Sequence, residues 1–421
     1  MEGMLIMFTI IMAVVCLLGF FNEKVTHLPH EIALLLFSVL FGFLLLPVFV
    51  FFKGTPVGET LRETHYINIE GFLLEGVLCL MLFAGSLHMK LSDFKEMARQ
   101  ITVLAFICTL LGAVFYGFLF YGAGRLLGLR LSLPVCLMFG SIIAPTDPIA
   151  ATGILSKFGL PKKLSFLIQG ESLFNDGVGV ALFVVFSGLV SQNASGGFLA
   201  VMAKEIFGAV LVGTVVTLLC FQLYRHTRSK ELGLFTSLLT VSAAYVICER
   251  AGFSGAIASV ICGILFSALR ERHESEEKPE RREHFEAVWE TVDVLLNSIL
   301  YVMLGLSFVH ILQMDRVIIL SVTGIVINLI ARGGSLAVSS FLMGKLPDGY
   351  DRASFVKLLT WGGLRGGLSV ALAMSTKEML PEEIYFILLG CTYAIVFFTT
   401  VIQGLTVRKV YEGIREKLGN R

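Results

Sequence analysis

Three carboxylates sit where carboxylates are costly. Asp147, Glu171 and Asp176 each fall inside a long run of apolar residues. A charge at the centre of a bilayer costs at least ~2.5 kcal/mol on the most lenient insertion scale, so such residues are functional candidates. Asp147 stands in Ala144-Pro145-Thr146-Asp147-Pro148. Prolines remove backbone donors and clash with the preceding turn, so a regular helix cannot run through this string. The carbonyls freed there are tolerable at membrane depth only against protein or water. The next run carries Gly170-Glu171-Ser172-Leu173-Phe174-Asn175-Asp176-Gly177. On a helix Glu171 and Asn175 are one turn apart, as are Ser172 and Asp176, giving two adjacent polar columns. Burial of a carboxylate brings protonation into competition near neutral pH. The same oxygens, joined by the hydroxyls of Thr146 and Ser172 and by freed carbonyls, form a hard-oxygen site suited to a small cation. One carboxylate holds a proton or a cation, not both. A carrier that changes sides only when loaded would therefore exchange one for the other.

Two cations lie equally deep. Arg332 and Arg365 are each about eleven residues from water, roughly 16 Å at ~1.5 Å per residue, beyond side-chain reach. Either could neutralise Glu171, which would leave Asp176 as the titrating group. Arg365 belongs to Trp361-Gly-Gly-Leu-Arg-Gly-Gly-Leu, whose four glycines favour an unwound stretch or a very close helix crossing.

The elements that hold these residues are membrane helices. Of 421 residues, 56% are apolar and 15% charged, with a mean hydropathy of +0.82, against about 25% charged in soluble domains. Runs long enough to cross a bilayer follow one another from Met4 to about Thr406. A soluble enzyme, a nucleic-acid binder and a secreted scaffold are excluded, and so is a β-barrel, because the runs are continuous rather than alternating. Thirteen spans are predicted, at 4–21, 31–51, 70–88, 100–122, 133–156, 163–190, 198–223, 232–249, 253–269, 285–309, 317–343, 353–375 and 383–406. Residues 1–406 make one membrane domain and 407–421 a short cytoplasmic tail. Loops on the side of the C-terminus hold 22 Lys and Arg against 7 on the other, which puts the N-terminus outside and the C-terminus in the cytoplasm. The eight cysteines fall singly in apolar runs, suggesting neither a disulfide framework nor a zinc site. The interrupted spans 5 and 12 are seven apart, as two inverted six-helix repeats flanking a linker span would place them, and such pairs mark a transporter's midplane site.

The strings Thr146-Asp147-Pro148, Gly170-Glu171-Ser172-Leu173-Phe174-Asn175-Asp176, Ala331-Arg332 and Gly362-Gly363-Leu364-Arg365-Gly366 closely resemble the cation/proton antiporters of the NhaP and Na+/H+ exchanger type. The resemblance covers the whole membrane domain in order and spacing. It implies an all-α polytopic fold of thirteen helices, unwound helices 5 and 12 that cross, a homodimer, and a core domain moving against a dimerisation domain. It implies that Asp176 binds the proton or the Na+ (or Li+ or K+), with Asp147, the Thr146 carbonyl and Ser172 around the ion. Glu171 would pair with Arg332 and Asn175 would order the site. Asn175, where relatives carry a second Asp, resembles the electroneutral branch. Arg365 matches the glycine-rich motif of helix 12. The short tail, set against the long regulatory tails of animal exchangers, resembles either a prokaryotic member or a truncated chain. No cofactor is expected beyond the transported ions, in an integral plasma (inner) membrane protein.

The rival class is an intramembrane aspartyl protease using Asp147 and Asp176 as a dyad. Thirteen spans and two central arginines speak against it, and broken helices around a midplane carboxylate speak against a continuous channel. The reading is a secondary active antiporter, electroneutral at one cation per proton.

Overall fold

The computed structural model describes residues 2–51, 71, 73–147, 149–191, 198–227, 229–274, 279–311, 317–346 and 349–419. Lys53, Arg62, Arg228, Lys278, Arg316 and Arg421 of the charge comparison lie outside them, as does Pro148. The described residues form helices α1 (Glu2–Phe21), α2 (His30–Phe51), α3 (Leu78–Leu87), α4 (Leu91–Leu126), α5 (Leu133–Ile143), α6 (Ile149–Lys157), α7 (Lys162–Val190) and α8 (Phe198–His226). They continue with α9 (Lys230–Ala251), α10 (Gly255–Glu274), α11 (Pro279–Ile311), α12 (Val317–Leu342), α13 (Arg352–Trp361), α14 (Gly367–Met374) and α15 (Glu382–Lys417). Eight helices among the described residues are long and apolar enough to cross a membrane by length and composition. The fifth expected span is the broken pair α5 and α6, and the twelfth is the pair α13 and α14.

The two largest boundary differences from the sequence expectation have one physical reason. The fourth span was expected to begin near residue 100, yet α4 starts at Leu91 with a charged stretch that buries only Met97 and Ile101. Likewise, the expected break at residue 407 falls inside a helix, Gly404–Gly419, which buries Val407, Tyr411 and Ile414 and exposes its charges. Apolar residues at helical spacing suffice to seat a helix on the protein, whereas hydropathy averaged along the chain reads such stretches as loop. The segment 407–417 is thus the end of α15 and docks on the loop after α6, where the Tyr411 hydroxyl donates to Gly159 O at 2.8 Å.

The buried apolar residues gather in two clusters. The larger surrounds the broken spans, and the smaller joins α3, α8, α9 and α10 with Phe285 and Trp289 of α11. Large apolar side chains of α8, including Phe207, Leu211 and Leu219, point outward, as a lipid-facing surface requires. Within the core, helices cross closely at small residues. A Cβ at Gly140 of α5 would lie 2.0 Å from the Ala113 carbonyl oxygen of α4. We predict that Gly140→Ala forces these two helices apart at a cost of about 1–3 kcal/mol, seen as a lowered Tm of the detergent-solubilised protein. An unchanged Tm would contradict this crossing.

Candidate functional site

The two helix breaks meet. Residues 144–147 leave the helical path between α5 and α6, and residues 362–366 do so between α13 and α14. The Asp147 N–H donates to the Leu364 carbonyl at 2.8 Å, an isolated antiparallel bridge between the two breaks. Gly366 permits this approach, since a Cβ there would stand 2.9 Å from Asp147 Oδ2. Arg365 answers carbonyls left open at the first break. Its Nη1 donates to Ala144 O at 2.6 Å and Pro145 O at 2.8 Å, and its Nη2 to Asn328 Oδ1 of α12 at 3.0 Å. The backbone of Arg365 is held in turn by Thr399 and Thr400 of α15, which accept from its N–H and donate to its carbonyl. Gln403 closes the end of α13 by donating to Thr360 O and Trp361 O.

The two polar columns of α7 separate in role. Glu171 forms an ion pair with Arg332 of α12, Oε1 to Nη1 2.6 Å, and both side chains are buried. Asn175 clasps the broken span: its Oδ1 accepts from Thr146 N at 3.2 Å and its Nδ2 donates to Thr146 Oγ1 at 2.8 Å. The Ser172 hydroxyl donates to the Thr146 carbonyl. Asp176, one turn beyond Ser172, is partly exposed into a cavity of about 400 Å³. Asp147, Thr146 and Ser172 line the same cavity, which extends to His88 and Ser156. Among the described residues the Asp176 carboxylate has no hydrogen-bond or ion-pair partner. It is a carboxylate facing an aqueous-sized space with oxygen donors around it, the arrangement in which a proton and an alkali cation compete.

Of the two arginines that could have neutralised Glu171, Arg332 does so and Arg365 serves the backbone. Sequence reasoning missed Tyr301 of α11, whose hydroxyl donates to Asp147 Oδ2 at 2.6 Å. A tyrosine deep in an apolar span needs a partner for its hydroxyl, and that was the available signal. It also passed over Asp293 and Asn297 of the same helix, both of which line the cavity.

The model of the family described as "Sodium/hydrogen exchanger, transmembrane" matches residues 6–413. The chain belongs to this family. The Na(+)/H(+) antiporter NhaP of Pseudomonas aeruginosa is 30% identical over 414 residues, covering 95% of this chain and 96% of that protein. The Na(+)/H(+) antiporter NhaG of Bacillus atrophaeus is 28% identical over 400 residues, covering 92% of this chain and 71% of that protein. The structure of the sodium proton antiporter MjNhaP1 from Methanocaldococcus jannaschii superposes with a TM-score of 0.75 at 20% identity, covering 98% of each chain, and shows the same fold. Exchanger membership speaks against the aspartyl protease, and so does the geometry. Asp147 is engaged by Tyr301 and Leu364, and Arg365 stands against the carbonyls two and three residues before it.

Glu171→Gln strands a buried guanidinium, and breaking one side of a buried pair costs about 3–5 kcal/mol. We expect a large fall in Tm for Glu171→Gln and substantial recovery in Glu171→Gln/Arg332→Met, because the double variant buries no charge there. A single variant as stable as the parent would show that the pair does not hold α7 to α12.

Proposed function

We propose that this chain exchanges Na+, or Li+ or K+, for H+ by alternating access, with Asp176 as the group that carries either ion. The carrying observation is the unpartnered Asp176 carboxylate, which shares one cavity with Asp147, Ser172 and Thr146 at the crossing of two broken helices. Relatives that match over nearly the whole chain are named Na+/H+ antiporters.

The residues divide the labour as follows. Asp176 binds the cation with Asp147, the Ser172 hydroxyl and Thr146 as further oxygen donors. Asn175 and Ser172 fix the break of the fifth span, so the donors stand ready before the ion arrives. Glu171, Arg332 and Arg365 hold the crossing. Asn175 adds no charge, so Asp176 loaded with H+ and Asp176 loaded with Na+ present the same net charge. Exchange at one Na+ per H+ is then electroneutral. The cavity borders His88 at the end of α3 and Ser156 near the end of α6. The Lys and Arg bias places these ends at the cytoplasm, so the cavity is inward-facing. The chain works as a homodimer in the plasma membrane, with its N-terminus outside and residues 407–421 on the cytoplasmic side.

In reconstituted vesicles an imposed pH gradient should drive Na+ movement that is insensitive to a clamped membrane potential. Asp176→Asn should reduce it to the protein-free leak; near-normal exchange by this variant would overturn the assignment. Since the proton excludes the cation, lowering pH below the point of half-protonation should raise the apparent KM for Na+ about tenfold per unit, with the limiting rate at saturating Na+ retained. A KM independent of pH would contradict competition at one group.

A further inference from the structure

Asp293, Asn297 and Tyr301 stand at successive i, i+4 positions on α11 and therefore share one face. The deep end of this column touches the candidate site through the Tyr301 hydroxyl on Asp147. The shallow end is a carboxylate on the same cavity as Asp176, about 12 Å along the axis from Tyr301 at ~1.5 Å per residue. Asn297 lies between them, only 3% exposed. Its amide orientation is fixed, because Nδ2 donates to Asp293 O at 2.9 Å and to Asp293 Oδ1 at 3.0 Å, both of them acceptors. The atom left over is Oδ1, and it is buried without a hydrogen-bond partner. A buried acceptor left unpaired costs about 1–3 kcal/mol, so an orphan beside a carboxylate on a cavity calls for a ligand that accepts electron density. Ser369 of α14, on the same cavity, presents a second buried hydroxyl oxygen without a partner. Among the described residues the charges that act most on Asp293 are Asp147, Glu31 and Glu290, all acidic.

We infer that Asp293 and Asn297 form a second, vestibular site for the transported monovalent cation, on the path from the cavity mouth to Asp176. The inference rests on the antiport reading and deepens it. One carboxylate with neutral amide and hydroxyl oxygens suits a weakly held alkali cation, whereas a divalent ion requires six or more oxygens and more negative charge. The Asn297 amide keeps the Asp293 carboxylate turned along the helix face and leaves its own carbonyl for the ion. The site draws cations into a cavity whose walls are mostly apolar, raising their local concentration beside Asp176, as acid-lined clefts do by factors of about ten or more. The ion is then passed inward toward the Asp147 end of the column.

Two measurements test this. In vesicles, Asp293→Asn should raise the apparent KM for Na+ about tenfold, with a far smaller change in maximal rate, while Asp293→Glu restores KM to within about threefold of the parent. The KM increase should shrink when ionic strength is raised with choline chloride, which screens exposed charge; a merely structural role would not respond in this way. An unchanged KM, or a fall in maximal rate at constant KM, overturns the inference. Independently of transport, Na+ relative to choline should still raise the Tm of purified Asp176→Asn, and the Asp176→Asn/Asp293→Asn protein should lose that response. No response in Asp176→Asn, or an equal response in the double variant, also overturns it. If the parent protein exchanges no Na+ at all, the antiport reading fails, whereas the binding measurement still decides whether the site exists.

Discussion

A helix that stops in the middle of a bilayer strands amide and carbonyl groups where no water can reach them, each at a cost of several kcal/mol. In this protein the stranded groups of two broken spans are satisfied largely within one assembly. Asp147 N–H meets Leu364 O, Arg365 covers the carbonyls of Ala144 and Pro145, and α15 holds Arg365 through Thr399 and Thr400. The crossing cannot be loosened at one strand without orphaning groups on the other. That mutual dependence fixes where Asp147 and the Thr146 carbonyl stand, and through Asn175 and Ser172 it fixes α7 as well. The position of Asp176 follows from that of α7.

The same arrangement distributes the buried charges into distinct tasks. Glu171 is consumed by Arg332, and Arg365 by backbone carbonyls and Asn328. Asp147 is anchored by Tyr301. Asp176 is left facing the cavity without a fixed counter-charge among the described residues, and so its charge is the one free to be balanced by a mobile ion. On the proposed reading, structural charges are paired by protein, and the functional charge is paired by what the protein carries. The Asp293 and Asn297 pair extends this logic to the approach route.

Much of this was legible in the sequence because the signals were local. Pro145 and the glycines around Arg365 announced both breaks, and the i, i+4 spacing on α7 announced which polar groups share a face. The ion pair was half legible from the residues alone: Glu171 demanded a cation, yet Arg332 and Arg365 were equally deep; the family resemblance pointed to Arg332, and the packing of α12 against the core bears that out. Tyr301, Asn328 and Asp293 escaped because their meaning depends on which spans adjoin, and a run of apolar residues says nothing about its neighbours. The amphipathic starts and ends of α4 and α15 escaped for a different reason: their few buried residues, such as Met97, Ile101, Tyr411 and Ile414, are diluted by charge along the chain.

The central claim is that a proton and a cation contend for one carboxylate. Its most direct test is the release of protons when NaCl is mixed with the purified protein in weakly buffered solution near neutral pH, with choline chloride as control. The account predicts proton release that saturates with Na+ at no more than one proton per chain and disappears in Asp176→Asn. Sodium binding without proton release, or release undiminished in Asp176→Asn, would contradict it.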